Sequence, residues 1–120
     1  MTVSRKRRVL FIEQNHARLQ FRTALLNHAG YDVTPAIGQQ VLTELERQDY
    51  DLVVICETLD DKEAQALFSF IKWMNDATPV VRLYLDLPGG ATSWFASSGE
   101  PAELLEAVAG VVGAAERASA

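Results

Sequence analysis

A chain of 120 residues, 48% of them apolar, is enough for one domain with a packed core and leaves no room for a second. A formal charge of -5 argues against general nucleic-acid affinity, which needs a basic face to displace counterions, and a single cysteine rules out an internal disulfide. The basic cluster Arg5-Lys6-Arg7-Arg8 precedes only Val9 to Ile12, too short for a signal-peptide core, and no apolar run approaches a membrane span, so a reducing, cytoplasmic setting is expected and the cluster is read as a solvated N-terminus.

Strands and helices alternate along the chain, the pattern that forces a parallel sheet with helices on both faces. Val9-Leu10-Phe11-Ile12 is the first predicted strand and runs straight into Glu13-Gln14-Asn15. Asn15 is a suitable N-cap; Ala17, Phe21, Ala24 and Leu25 recur at helical spacing until Gly30 stops the helix at a C′ position. Tyr31 to Thr34 reads as a short strand, and Pro35 places it at a sheet edge because proline cannot donate to a ladder. A second helix follows Gly38, with Val41, Leu42 and Leu45 inward and Gln39, Glu44 and Arg47 toward water.

Asp51 to Cys56 is a buried-looking strand that ends at the cysteine. Asp60 and Glu63 form a capping-box-like pair at the start of a third helix, whose predicted buried stripe is Leu67, Phe70, Ile71 and Met74 and which Asn75 to Pro79 terminate. Val80 to Leu85 reads as a strand and Trp94-Phe95-Ala96 as another. Pro101 then opens a final helix with Leu104, Leu105, Val108, Val111, Val112 and Ala115 on its core stripe. Only nine residues separate Tyr84 from Trp94, and they include Leu87-Pro88-Gly89-Gly90. A typical helix needs about 11 residues before its connections are counted, so none fits. The short link suggests a tight reversal, an antiparallel edge or a displaced strand.

Ligands in open parallel sheets bind at the carboxyl ends of strands, and here the ends at Glu13, Cys56, Tyr84 and Ser97 converge around Cys56. That layout resembles the receiver domain of the bacterial two-component response regulators, from about Arg8 to about Arg117. The resemblance implies a single domain over 1–120 with a flavodoxin-like, doubly wound, five-stranded and mostly parallel sheet. The family has a helix where the short link lies, so the chain resembles a receiver whose fourth helix is missing and replaced by a short loop.

Receiver chemistry is phosphoryl transfer to an aspartate beside a magnesium ion. The resemblance matches Glu13 and Gln14 to the family's acidic pair, Cys56 to its phosphoacceptor, Tyr84 to its switch hydroxyl and Ser97 to its phosphate-pairing lysine. Of the three carboxylates only Glu13 survives, and a thiol is a poor ligand for a hard cation. Cys56 cannot make an acyl phosphate, Tyr84 would crowd the pocket, and Ser97 removes the charge partner. These departures together describe a degenerate receiver, a pseudo-receiver with no cofactor and no magnesium binding expected.

Other candidates have simpler readings. Asp60 and Asp61 suit a helix start, Asp86 a turn, and His16 and His28 the surface of the first helix. Cys56 is read as a small buried hydrophobe, with a redox or small-ligand sensor acting through it and the vacated pocket as the alternative. No nucleophile elbow, zinc motif, dinucleotide fingerprint or P-loop supports an enzyme. Leu85, Leu87, Trp94 and Phe95 adjoin the place of the missing helix, and an exposed apolar patch there would serve a protein partner or a second copy. The expected function is a phosphorylation-independent interaction module in signal transduction, with no nucleic acid and no membrane as partner.

Overall fold

The structure is a computed structural model that describes residues 7–37, 40–56, 58–84, 95–98 and 101–112. Among these the chain forms β1 (Arg8–Ile12), α1 (His16–His28), β2 (Asp32–Ala36), α2 (Gln40–Arg47), β3 (Leu52–Ile55), α3 (Asp61–Met74), β4 (Val80–Tyr84), β5 (Phe95–Ser98) and α4 (Pro101–Val112). The strands build one sheet in the order β2-β1-β3-β4-β5, each neighbouring pair parallel. β3 is wholly apolar because it lies mid-sheet with both faces covered.

Alternation of side chains along the strands divides the core in two. Val9, Phe11, Leu52, Val54, Val81 and Leu83 pack on one face with Leu19 and Leu26 of α1 and Leu104 and Val108 of α4. Leu10, Ile12, Val53, Ile55 and Val80 pack on the other with Val41 of α2 and Ala64, Phe68 and Ile71 of α3.

The predicted stops and starts are explained by specific hydrogen bonds. Asn15 caps α1 by accepting from the Arg18 amide at 3.0 Å. At the other end Gly30 takes a φ of 106°, its N–H bonds Asn27 O at 3.0 Å, and the Tyr31 N–H bonds Leu26 O at 3.1 Å. That pair of bonds is a Schellman motif, and the left-handed residue within it favours glycine. Asp60 caps α3 by accepting from the Glu63 amide at 2.8 Å.

β2 lies at the sheet edge and continues through Pro35 to Ala36. Its outward N–H groups are individually covered: that of Val33 bonds Asn27 Oδ1 at 3.2 Å, Pro35 has none, and that of Ile37 just beyond bonds Gln40 Oε1 at 3.1 Å.

Three expectations need correction. β5 is parallel to β4, with Leu83 opposite Ser97, and is neither a tight reversal nor an antiparallel edge. The missing fourth helix, with Leu85, Leu87 and Trp94, lies outside the described residues.

The buried face of α1 is Leu19, Arg22 and Leu26, while Ala17 and Ala24 are exposed and Phe21 is 60% exposed. A buried charge turns the helix, as shown below. On α2 and α3 the stripe is also rotated: Leu42 is 44% exposed and Met74 is exposed, and Ala64 and Phe68 go inward with Ile71. The i, i+4, i+7 spacing of Ala64, Phe68 and Ile71 satisfies helical periodicity as well as the predicted stripe does.

Candidate functional site

Strand register brings together most of the residues expected to meet. Ile12 lies opposite Ile55, Ile55 opposite Arg82, and Leu83 opposite Ser97, so Glu13, Cys56, Leu83 and Ser97 fall in one row at the carboxyl end of the sheet. The Cys56 N–H bonds Ile12 O at 3.0 Å and fixes this junction. Tyr84 stands one step further along β4, opposite Ser98. Tyr84 and Ser97 are placed by register alone.

Glu13 is 0% exposed, and both its carboxylate oxygens are engaged. Oε1 accepts from Arg22 Nη1 of α1 at 3.2 Å. Oε2 accepts from the amides of Gln14 and Asn15, each at 3.2 Å, and from the Thr58 hydroxyl. The chain thus supplies its own cation and a small cradle of N–H donors to the one surviving carboxylate of the pocket. The turn of α1 follows, because a charge buried this deeply needs its partner and Arg22 must face inward to provide it.

A second arginine closes the other side. Arg82 of β4 is 3% exposed; its Nη1 donates to Cys56 O at 2.5 Å, and its Nη2 donates to Leu59 O at 2.8 Å and to Asp61 Oδ1 at 3.2 Å. Arg82 shares its face of the sheet with Val80, whereas Cys56 packs in the core on the α1 side. Two guanidiniums from opposite faces therefore tie the β3–α3 loop to β1, α1 and β4. At this end of the sheet the Glu13 carboxylate and the Cys56 carbonyl are both engaged by the chain's own groups.

Cys56 is fully buried within the core. A redox role requires solvent access to the thiol, so this placement disfavours the sensor alternative. Gln14 is exposed; its N–H bonds Thr58 Oγ1 at 3.1 Å and its side chain donates to Glu63 at 3.4 Å. Asp60 is the α3 cap, and Asp61 reaches Arg82 from an exposed position. His16 and His28 are exposed on α1. Among the described residues no three His, Cys, Asp or Glu side chains cluster as a metal site, and no helix is long and apolar enough to cross a membrane.

Sequence reasoning missed Arg22, Thr58 and Arg82. A charge inside Val80-Val81-Arg82-Leu83 was a usable signal, since a buried arginine demands partners. Arg22 and Thr58 carried none, because an exposed helix arginine and a loop threonine look the same in sequence.

No protein-family model and no curated protein matches the chain. Solved structures do. The chemotaxis protein CheY4 of Vibrio cholerae is 20% identical, with a TM-score of 0.73 over 88% of this chain and 98% of that one. A CheY-like response regulator receiver domain from Methylobacillus flagellatus gives the same identity, TM-score and coverage. A chain in the complex of the histidine kinase ThkA with the response regulator protein TrrA is 16% identical, again with a TM-score of 0.73 and coverage of 88% and 98%. With its β2-β1-β3-β4-β5 parallel sheet and helices on both faces, the chain has the fold of the CheY-like response regulator receiver domains.

Proposed function

We propose that the chain is a receiver-like protein-protein interaction module of two-component signal transduction that works without phosphorylation, without a divalent cation and without enzymatic activity. The observation that carries this reading is the Arg22–Glu13 pair. Magnesium takes several oxygen ligands in octahedral geometry. Here both oxygens of Glu13 are already used, the position beside it is an amide engaged with Glu63, and the phosphoacceptor position is a buried thiol. The fold supports a place in two-component signalling, and the receiver-fold relative found with a histidine kinase supports a protein as partner.

The test is a titration of magnesium with beryllium fluoride, an acyl-phosphate mimic, followed by the amide resonances of Gln14, Thr58 and Leu83. No saturable, magnesium-dependent shift is expected; a saturable one would overturn the reading.

Self-association forms the second half of the proposal, with Leu85, Leu87, Trp94 and Phe95 at the contact. Their apolar character supports it, because a contiguous apolar patch usually marks an interface. In light scattering over a range of concentrations with reductant present, the wild type is expected to dimerise and Trp94→Glu to shift toward monomer. A wild-type monomer, or an unchanged dimer in the variant, removes this half and leaves the first standing.

A further inference from the structure

A groove of about 340 Å³ lies between α2 and α3 at the carboxyl end of the sheet, and apart from Gln14 and Glu63 its lining plays no part in the site above. Its walls are Ile12, Val41, Leu42, Leu59, Ala66 and Leu67. Gln14 and Glu63 complete the lining. The position has a physical cause. In the order β2-β1-β3-β4, α2 and α3 pack side by side on one face of the sheet, and the groove lies between them above the carboxyl end of β1. Leu42 remains 44% exposed because it borders this space and not the closed core.

We infer that the groove binds a small primary amine with a compact apolar body, a single aromatic ring or a branched aliphatic chain. Its volume falls within the range of ligand pockets, roughly 300–1,000 Å³, and such pockets combine apolar walls with a few orienting polar groups. Gln14 Nε2 donates to Glu63 Oε2 at 3.4 Å, and among the described residues neither Gln14 Oε1 nor Glu63 Oε1 accepts a hydrogen bond. Nor does any described lysine or arginine pair with Glu63. Two acceptors, one of them anionic, thus meet at one polar spot of an apolar groove. An ammonium group, with three donors and a positive charge, matches them where a carboxylate would be repelled. The groove shares Gln14 with the receiver-like row, but its apolar walls lie on the α2–α3 side of the sheet, whereas Cys56 packs on the α1 side.

The test uses the full chain and amide resonances, with phenethylamine as the probe and 3-phenylpropionate as its anionic counterpart. Saturable shifts in the millimolar range are expected at Gln14 and along α2 and the first half of α3. The amine should bind about tenfold more tightly than the acid, the scale of one partly exposed charge contact and its reversal. Glu63→Gln should bring the two probes to similar affinity, and Ala66→Phe, at an exposed helix position, should abolish both. Should the phenylalanine variant lose its native amide spectrum, Leu42→Arg replaces it as the blocking change. Absence of saturable shifts, shifts centred elsewhere, or equal affinities in the wild type would overturn the inference.

Discussion

Arg22→Ala is expected to destabilise the fold by about 3–5 kcal/mol, because it leaves the Glu13 carboxylate buried without its counter-charge. The pair itself is not a large source of net stability, since desolvation of both ions offsets most of their attraction. What is costly is the orphan. Arg22→Met combined with Glu13→Gln should therefore recover most of the loss, because glutamine keeps an acceptor for the Gln14 and Asn15 amides while the charge disappears. Urea unfolding of the wild type, Arg22→Met, Glu13→Gln and the double variant gives the coupling directly. A single Arg22→Ala variant within about 1 kcal/mol of wild type would mean that Glu13 finds water or another donor, and the closed-pocket description would fail.

Arg82→Ala should cost about 2–4 kcal/mol, the loss of two charge-assisted bonds to carbonyls in a buried setting. The effect is also local. Arg82 holds the carbonyls of Cys56 and Leu59, so its removal frees the turn that leads from β3 into α3. Amide hydrogen exchange at Leu59 and Ala64, which bond Cys56 O and Asp60 O, is expected to speed up more than exchange in β1 or α1. Arg82→Lys should restore only part, since one ammonium nitrogen replaces a planar fork that reaches Cys56 O and Leu59 O through two separate nitrogens. Uniform acceleration through the whole chain would show a role in global stability alone.

The parts of the fold legible in the sequence are those set by local chemistry. Asn15, Gly30, Asp60 and Pro101 mark their helix ends because each satisfies or removes a backbone group within a few residues. The parallel sheet followed from alternation, and its flavodoxin-like form from resemblance. Helix rotation did not, because Ala17, Phe21, Ala24 and Leu25 make a plausible apolar stripe in isolation. What decides the face of α1 is Glu13, nine residues earlier and just past the end of β1, a tertiary demand that no helical periodicity contains. The candidate site divides the same way: the ends of β1 and β3, with Glu13 and Cys56, are neighbours in register, yet the two arginines around them come from α1 and β4 and become visible only once the sheet is assembled.

The covered edge of β2 also bears on how this chain meets others of its kind. An open strand edge is a template on which a foreign strand can add, and from there intermolecular sheets grow. Along β2 an incoming strand would find no donor at Pro35 and would have to displace the Asn27 and Gln40 side chains to reach the other outward amides. Addition of a strand along β2 would therefore start without free amide donors from this edge, which disfavours backbone-driven growth of sheets from this side.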